Sequence, residues 1–380
     1  MTNNKKIWLS SPHMGTHELG FIHEAFETNW VAPLGPNVDN FELDIAKYLN
    51  ENRYVAALSS GTSALHLALV LSGVERGDHV ICQSLTFSAS ANPIVYQGGI
   101  PVFVDSETDT WNMSPELMEE AIVCCMKMKK KPKAIIVVHL YGMPAKMEEI
   151  LKIAEKYEIS VIEDAAEALG SSLHNRKCGT FSDYGILSFN GNKIITTSGG
   201  GALICKNKEQ ADRARFLSTQ ARDNAPYYQH STIGYNYRMS NILAGIGRGQ
   251  MMVLSERVEK RRQSNRFYRE SLKDINEITF QSEPDKNYYS NFWLTSILID
   301  PKEFGASSGQ IRLAMEKENI ESRPLWKPMH LQPVFKDAPF FGDGTSEKLF
   351  ELGLCIPSGS NLEEDDLVAV VNCLKKYKQK

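Results

Sequence analysis

Between residues 53 and 164 the sequence alternates short apolar segments with segments of helical apolar spacing. The apolar segments predict strands at Tyr54–Leu58, Val80–Cys82, Pro101–Asp105, Ala134–Leu140 and Ile159–Glu163, the last of which ends at Asp164. The segments between them predict helices at Thr62–Leu71, Ser88–Gln97, Pro115–Lys129 and Lys146–Tyr157. Short apolar strands separated by single helices predict a largely parallel sheet in an α/β fold. Such sheets bind ligands at the carboxyl ends of their strands.

The pattern changes after Gly201. Glu209–Arg222 predicts a helix, and Ser240–Leu272 predicts one long helix. Its plausible buried stripe consists of Leu243, Ile246, Met251, Leu254 and Val258. A chain of 380 residues is long enough for two domains. We therefore expect a large domain over residues 1–255 and a smaller C-terminal domain over residues 256–380, with one continuous domain as the alternative.

Charge and cysteine content exclude several classes of protein. The net charge of −4 gives no global attraction to nucleic acid or to an anionic membrane. The one strong charge run, Lys127–Lys133, is typical of a solvated helix end favoured by the helix dipole. No apolar run approaches the ~20 residues needed to span a bilayer, and no signal peptide follows the first six residues. Seven scattered cysteines without ligand spacing predict reduced thiols, no metal site and a cytoplasmic protein.

The segment Ser188–Gly201 carries a single lysine, Lys193, between an apolar strand at Ile186–Phe189 and a glycine-rich turn. A lysine held among such small neighbours is poorly explained as an ordinary solvated surface residue. A lysine held in this way suits a Schiff base with pyridoxal phosphate (PLP). The segment alone is weak support, so the hypothesis needs a phosphate-binding loop, a carboxylate for the pyridine nitrogen and a ring-stacking group elsewhere in the chain.

The first of these partners is Ser59–Ser63, which joins a predicted strand to the next helix. Gly61 allows the backbone to approach an anion, and the first free N–H groups of the helix point at it. The hydroxyls of Thr62 and Ser63 are possible further donors. Helix capping by a serine or threonine explains the segment equally well. It is not a Walker A loop, because no Gly-Lys-Ser/Thr follows.

The second partner is Asp164, at the end of a predicted strand. A carboxylate there is well placed to pair with the protonated pyridine nitrogen of PLP and to keep the ring cationic. The small side chain of Ala166 leaves room for a flat ring. Asp164 before two alanines is also a good helix N-cap, so both interpretations stay open.

Phe87 follows another predicted strand and could stack on the ring face opposite Ala166, although an aromatic residue there is more often part of the core. Ser188, five residues before Lys193, could supply a hydroxyl to the phosphate. Phosphate loop, stacking group, carboxylate and lysine thus occur in chain order, each at a strand end. Their coincidence is much stronger support for a PLP site than any one of them.

At these residues the chain resembles the DegT/DnrJ/EryC1/StrS family of PLP-dependent nucleotide-sugar aminotransferases, essentially from end to end. The matching segments are Asn29-Trp30, Pro33–Pro36, Ser59–Ser63, Thr86-Phe87, Glu163–Gly170, Gly191–Lys193 and Gly234–Arg238. The resemblance implies the PLP-dependent transferase fold type I, which is aspartate aminotransferase-like. That fold has a large domain with a mostly parallel sheet and a smaller C-terminal α+β domain.

The resemblance also implies roles for the matched residues. Lys193 corresponds to the catalytic lysine that binds the cofactor, and Asp164 to the partner of the pyridine nitrogen. The two ring faces correspond to Phe87 and Ala166, and the phosphate donors to Thr62, Ser63 and Ser188, next to Gly61. Asn236 resembles the residue that reaches the phosphate from the partner subunit of a homodimer with shared active sites. Some relatives carry His or Gln where this chain has Glu167, so the role of this cofactor-site residue stays open.

A C-terminal segment, Ile320–His330, narrows the resemblance. Together with Phe292–Leu294 it is similar to the branch that makes UDP-4-amino-4,6-dideoxy sugars of the bacillosamine type. The residues implied to bind the sugar substrate are Trp30, Arg323, Trp326, Lys327 and His330. The implied reaction moves an amino group from L-glutamate to C4 of a UDP-linked 4-keto-6-deoxy-N-acetylhexosamine. An ordinary basic loop is the alternative for Arg323, Lys327 and His330.

Three other functions are weighed against this one. PLP-dependent sugar dehydratases of the family carry histidine at the lysine position, and Lys193 argues against that class. A PLP-sensing DNA-binding regulator needs a further ~60–70 residues for a winged helix, which the chain does not have to spare. An aminotransferase for a GDP- or dTDP-linked keto-sugar, such as a perosamine synthase, stays open, because base recognition depends on a few loop side chains.

Overall fold

The structure is a computed structural model that describes residues 5–378. Its α-helices are α1 (Glu18–Glu27), α2 (Pro36–Leu49), α3 (Gly61–Leu71), α4 (Asn92–Tyr96), α5 (Pro115–Lys127), α6 (Met147–Lys156), α7 (Lys208–Ser218), α8 (Asn241–Met251), α9 (Leu254–Ser271), α10 (Pro301–Phe304), α11 (Ser308–Lys317), α12 (Thr345–Leu352) and α13 (Glu364–Lys378). Its strands are β1 (Tyr54–Leu58), β2 (His79–Gln83), β3 (Ile100–Val104), β4 (Ala134–Val138), β5 (Ser160–Asp164), β6 (Ser172–Leu173), β7 (Arg176–Lys177), β8 (Tyr184–Ser188), β9 (Gly201–Cys205), β10 (Ile278–Phe280), β11 (Tyr288–Tyr289), β12 (Thr295–Ile299), β13 (Arg323–Pro324), β14 (Phe340–Phe341) and β15 (Gly353–Ile356).

Residues 1–4 and 379–380 lie outside the described part of the chain. The outermost residues of both predicted domains therefore lie outside it. So do the first four residues of the N-terminal segment, for which the sequence predicts no signal peptide. No helix within residues 5–378 is both long and apolar enough to cross a membrane.

A central sheet of eight strands has the order β1-β9-β8-β5-β4-β2-β3-β14. The six strands from β8 to β14 run parallel, and β9 pairs antiparallel with both β8 and β1. All five strands predicted between residues 53 and 164 belong to this sheet. The predicted α/β class with a mostly parallel sheet is therefore confirmed.

Helices cover both faces of the central sheet. In β1, Ala56 and Leu58 pack on the side of α3 and α7, whereas Val55 and Ala57 pack on the side of α2 and α8. Farther along the sheet, α5 and α6 cover the second face. A sheet buried on both faces explains why its strands read as continuous apolar runs and not as alternating ones.

The register of the sheet brings several strand ends to one edge. Gly201, at the start of β9, pairs with Leu58 on one side and Ser188 on the other. The last residue of β5, Asp164, pairs with Val138 of β4 and Ile186 of β8. The loops that follow β1, β4, β5 and β8 therefore start from the same edge, as the parallel pattern predicts.

A second, antiparallel sheet has the order β10-β12-β15-β13 and packs against α9, α11 and α13 around its own apolar core. The chain crosses between the two sheets more than once. Ile7 forms a bridge with Ile320, and β14 returns to pair with β3 in the central sheet. The domain division at residues 255 and 256 stays a prediction.

The long helix predicted at Ser240–Leu272 is wrong in one respect: the structure has two helices, α8 and α9, with a turn at Met252 and Val253. Helix α8 packs on α1 and α2 through its small residues. A side-chain carbon at Gly247 would lie 2.6 Å from the Phe41 ring. Helix α9 instead runs from the core beside α2 into the core of the second sheet. The apolar spacing continues across the turn, so it does not reveal the change of direction.

The helix predicted at Ser88–Gln97 is also divided. Residues Ser88–Ser90 form one turn of 3-10 helix, and α4 begins separately at Asn92. The break falls before Pro93, because proline has no N–H for a helical hydrogen bond and fits only the first turn of a helix.

Candidate active site

Lys193 lies in the loop between β8 and β9, and its side chain lines a cavity of about 260 Å³ at the strand-end edge of the central sheet. Only 11% of the side chain is exposed. Its Nζ lies 4.1 Å from the centre of the Trp293 ring and 3.5 Å from Oε1 of Glu167. A buried amine between an aromatic face and a carboxyl group is held in a narrow range of positions, as a catalytic lysine requires.

Asp164 lies in the same cavity and is buried. Its Oδ2 accepts a hydrogen bond of 2.7 Å from the Ser90 hydroxyl, and its Oδ1 accepts one of 3.2 Å from the N–H of Ala166. The Ser90 hydroxyl is in turn 2.8 Å from that of Thr86. These contacts hold the carboxylate in place. Lone pairs stay available because a carboxylate can accept about four hydrogen bonds.

The amino end of α3 forms another wall of the cavity, through Ser60, Gly61 and Thr62. Ser60 caps the helix and forms a capping box with Ser63, whose hydroxyl lies 2.7 Å from the carbonyl oxygen of Ser60. The capping interpretation of this segment therefore describes Ser60 and Ser63. The Ser63 side chain does not line the cavity, and its role as a phosphate donor stays a prediction.

Ser188, at the end of β8, lines the cavity next to Gly61. A side-chain carbon at Gly61 would lie 3.0 Å from Cβ of Ser188 and 3.4 Å from its hydroxyl oxygen. Glycine is therefore required for the close approach of the two segments. The first N–H groups of α3 have no partner within the helix, so this end of the cavity suits an anion.

Phe87 and Ala166 also line the cavity. Phe87 is half exposed, and its ring packs against Trp326 with the ring centres 5.2 Å apart. The alternative that Phe87 is simply a core residue therefore does not hold. Trp326 comes from the C-terminal part of the chain and covers this side of the cavity.

Glu167 is buried beside Lys193. Burial raises the pKa of its carboxyl group, and the charge of Asp164 adds to this effect. Lys193 and the N–H of Tyr141, which donates to Oε2 at 2.7 Å, act in the opposite direction without cancelling it. Glu167 therefore holds a proton to higher pH than an exposed glutamate.

A second cavity, of about 470 Å³, adjoins the first and shares Asn192, Trp293 and Trp326 with it. Arg323 and Lys327 line it together with apolar side chains such as Leu294. The guanidinium group of Arg323 lies 2.9 Å from Oε1 of Glu321. The structure thus brings three of the five predicted substrate residues, Arg323, Trp326 and Lys327, next to the predicted cofactor site.

The other two predicted substrate residues, Trp30 and His330, and the predicted interface residue Asn236 lie outside both cavities. His330 is hydrogen-bonded to Ser84 and Glu347 and stacks on Phe340 with the ring centres 3.6 Å apart. Trp30 and Asn236 are exposed at the surface. Their roles in binding substrate or a neighbouring subunit's cofactor stay predictions.

Several residues of the site are given no role by the sequence reasoning, although Asn192 and Trp293 lie in segments that carry the resemblance. Ser90 falls within a predicted helix, and nothing in the helical pattern indicates its contact with Asp164. Tyr141 follows the end of β4, so the strand-end rule applied to this strand could have found it. Trp293 and Asn192 meet because the indole N–H donates to the Asn192 carbonyl at 2.7 Å, a contact across 101 positions that no local pattern predicts.

The residues of the first cavity fit PLP. The amino end of α3 and the close approach at Gly61 suit a phosphate group, and Asp164 supplies a buried carboxylate for a ring nitrogen. Lys193 supplies the amine, and Phe87 and Ala166 offer surfaces for a flat ring. Within residues 5–378, no three His, Cys, Asp or Glu side chains come close enough together to hold a metal ion.

Comparisons with known proteins agree with this chemistry. A model of the DegT/DnrJ/EryC1/StrS aminotransferase family matches residues 12–375. EpsN of Bacillus subtilis, named as a pyridoxal phosphate-dependent aminotransferase, is 49% identical over 98% of this chain and 95% of its own length. A GDP-perosamine synthase of Escherichia coli O157:H7 is 34% identical over 98% of this chain and 99% of its own length.

A solved structure gives the same result. The crystal structure of a DegT/DnrJ/EryC1/StrS aminotransferase from Brucella abortus superposes with a TM-score of 0.89 at 30% identity, and covers 96% of each chain. The chain therefore belongs to the DegT/DnrJ/EryC1/StrS aminotransferase family and is a sugar aminotransferase that uses pyridoxal phosphate.

Proposed function

We propose that this enzyme transfers an amino group from L-glutamate to C4 of a UDP-linked 4-keto-6-deoxy-N-acetylhexosamine. The products are UDP-4-amino-4,6-dideoxy-N-acetylhexosamine and 2-oxoglutarate. The observation that carries the proposal is the meeting of the Lys193 amine and the Asp164 carboxylate in one cavity that opens on a second. The first cavity suits the chemistry of amino transfer, and the second has room for a sugar substrate.

Lys193 is the proton carrier of the proposed reaction. Bound PLP supplies the aldehyde that takes up an amino group and the cationic ring that absorbs negative charge. The neutral Lys193 amine removes the proton from Cα of glutamate and later returns a proton to the sugar carbon. Trp293 and Glu167 confine its Nζ from two sides. Arginine cannot take this role because it is permanently charged.

Asp164 places a buried carboxyl group in the cavity. The Ser90 hydroxyl and the N–H of Ala166 orient its carboxylate, and the charge favours a protonated ring nitrogen. Gly61, Thr62 and Ser188, which line the same cavity, would hold the phosphate of bound PLP. Together with Asp164 they would orient the ring with respect to Lys193.

The second cavity supports a nucleotide-linked substrate. Arg323 and Lys327 line a cavity with largely apolar walls such as Leu294 and Trp326. Glu321 also lines it and pairs with Arg323, so Lys327 brings the positive charge that is unpaired within residues 5–378. Cationic side chains suit a diphosphate, and apolar walls suit a sugar ring or a base. The UDP-linked sugar is assigned from the resemblance of the segment Ile320–His330, which contains both cationic residues.

A GDP-linked keto-sugar is the second candidate. The 34% identity with a GDP-perosamine synthase over nearly the whole chain favours it. Purified enzyme is given L-glutamate and UDP-, GDP- or dTDP-linked 4-keto-6-deoxy sugars, and 2-oxoglutarate is measured. We expect the fastest turnover with the UDP-linked N-acetyl sugar. Faster turnover with a GDP-linked sugar would assign the enzyme to the second candidate.

The lysine assignment is tested separately with Lys193→Ala. This variant loses the proton carrier and the group that binds the cofactor covalently, so turnover should fall by at least ~10³-fold. The visible absorbance band of the PLP-loaded wild type, abolished by borohydride, should be absent or altered in the variant. Turnover close to that of the wild type would contradict the role of Lys193. Circular dichroism checks that the variant is folded.

We further propose that two copies of the chain share their active sites. Asn236 lies on an exposed segment with the strongly exposed side chains of Tyr227, Tyr228 and Ile233. Exposed apolar side chains on one segment suit an interface between subunits. In the proposed dimer, Asn236 reaches the phosphate end of the partner's cavity.

A further inference from the structure

Tyr141 combines a left-handed backbone conformation with contacts to residues of both cavities. It lies in the 3-10 turn Leu140–Gly142 after β4 and has a positive φ of 55°. Residues with side chains seldom adopt this left-handed conformation, which costs about 1 kcal/mol or more. The side chain is fully buried. The contacts at both ends of Tyr141 therefore have to offset the cost of this conformation.

The backbone end of Tyr141 contacts Glu167, which lines the catalytic cavity. Its N–H donates to Oε2 of Glu167 at 2.7 Å, and Oε1 of the same carboxyl lies 3.5 Å from Nζ of Lys193. The conformation of Tyr141 therefore fixes one oxygen of the group that confines Lys193. This contact uses only the backbone and is unchanged when the side chain is altered.

The side-chain end faces the second cavity. The Tyr141 hydroxyl accepts a hydrogen bond of 2.8 Å from the backbone N–H of Trp326. Its ring is stacked between Trp293 and Trp326, with ring centres 6.3 and 6.2 Å away and planes inclined by 19° and 22°. The hydroxyl is therefore what ties the Trp326 segment to the turn after β4.

Trp326 is one of the three residues that line both cavities, and its ring also contacts Phe87. Its indole nitrogen is buried and finds no hydrogen-bond partner within residues 5–378. The next residue, Lys327, lines the second cavity. Displacement of Trp326 would thus alter the second cavity and one wall of the first, whereas Lys193 and Asp164 are held by other segments.

We propose that Tyr141 is a positioning residue that, through its hydroxyl, holds Trp326 and Lys327 in place for the sugar acceptor. The role does not extend to glutamate, whose reaction depends on Lys193, Asp164 and the backbone contact to Glu167. Because it concerns one of two half-reactions, this role rests on the proposed function.

The test measures the two half-reactions separately in Tyr141→Phe. Mixing the PLP-loaded enzyme with L-glutamate alone and following the loss of visible absorbance reports the first. The return of absorbance on adding the nucleotide-linked keto-sugar reports the second. We expect the first to stay within about twofold of the wild type. The sugar concentration at half-maximal rate should rise about tenfold, because the buried N–H of Trp326 loses its acceptor.

Tyr268→Phe is the matched control. Tyr268 is equally buried and donates to the Pro357 carbonyl at 2.9 Å, but it lines neither cavity. Its loss of one hydrogen bond should leave the sugar dependence unchanged. Combining Tyr141→Phe with the paired change Trp326→Ala and Lys327→Ala gives a double-mutant cycle, in which the losses should not add if Tyr141 acts through these two side chains.

The outcomes separate the two proposals. Equal losses in both half-reactions of Tyr141→Phe, or no loss in the sugar half-reaction, would overturn the role of Tyr141 and leave the proposed function standing. Fully additive losses in the double-mutant cycle would overturn it as well. A wild-type enzyme whose absorbance does not respond to glutamate would overturn the proposed function, and the role of Tyr141 with it.

Discussion

Two buried glutamates four positions apart, Glu163 and Glu167, have pKa values shifted in opposite directions. Burial alone would raise the pKa of Glu163, but hydrogen bonds from His139, Gly179 and Ser182 more than offset it and lower the pKa. Glu167 accepts fewer hydrogen bonds, so burial dominates and its pKa is raised. The number of donors around each carboxyl therefore decides which protonation state the fold favours.

Replacing Glu163 by glutamine should destabilise the protein. The new amide keeps one oxygen and replaces the other by an NH2 group, which would face either the N–H of Ser182 or the N–H groups of Gly179 and His139. The His139 proton is on Nε2, because Nδ1 accepts from the Ala145 N–H. We expect the free energy of unfolding to fall by about 3 kcal/mol at pH 7. Urea unfolding of the apoprotein measures it.

The pH dependence of this loss has a definite sign. Since the folded-state pKa of Glu163 lies below its ordinary value of 4.5, its stabilising contribution is present above pH 4.5 and is lost as the pH falls through the folded-state pKa. The gap between the wild type and Glu163→Gln should therefore narrow in acid. A gap that stays constant down to the pH of acid unfolding would contradict this explanation.

Glu167→Gln should show the opposite behaviour. Because the folded-state pKa of Glu167 lies above 4.5, the neutral carboxyl is favoured, and its stabilising contribution is lost as the pH rises through that pKa. Glutamine mimics the neutral acid at every pH. Thermal unfolding of the two apoproteins should give equal midpoints near pH 4.5 and a variant that becomes relatively more stable toward pH 8. A variant less stable at every pH would instead indicate that the Lys193 ion pair dominates.

At the scale of elements, the apolar runs predict the strands well and the helix contacts less well. Strand β1 has the predicted bounds Tyr54–Leu58, and β5 ends at Asp164 as expected, because a strand buried on both faces is apolar along its whole length. Helix α8 buries Gly245, Gly247 and Gly249, so its contact face is invisible to a search for large apolar residues. The predicted stripe of apolar residues could not reveal it.

Helix α3 offers a test between two roles that the sequence leaves open. The Ser63 hydroxyl bonds back to Ser60 in the capping box, whereas Thr62 lines the cavity. Ser63→Ala should lower the free energy of unfolding of the apoprotein by about 1 kcal/mol and change PLP affinity little. Thr62→Val should leave apoprotein stability nearly unchanged and weaken PLP binding several-fold. The reverse pattern would make Ser63 the phosphate donor. Equilibrium dialysis and urea unfolding provide the two readouts.

At the scale of the whole molecule, the sequence predicts those residues of the site that lie at or just after the ends of strands. Asp164 ends β5 and Lys193 follows β8, and the carboxyl ends of parallel strands lie at one edge of a sheet. Trp293 and Trp326 come from segments more than 90 positions later and meet this edge only through tertiary contacts such as that of Tyr141 with Trp326. No periodicity encodes that approach, because it depends on how the second sheet and its helices pack against the first.

The exposed position of Asn236 leads to a test of the proposed dimer. If Asn236 acts in the partner's site, a mixed dimer of Lys193→Ala and Asn236→Ala chains has one site with both substitutions and one with neither. Two separately inactive variants, unfolded and refolded together, should then regain about a quarter of the wild-type activity, since half of randomly formed dimers are mixed. If Asn236 acts within its own chain, every site carries one substitution and activity is not regained. Size-exclusion chromatography confirms that the refolded chains are dimers.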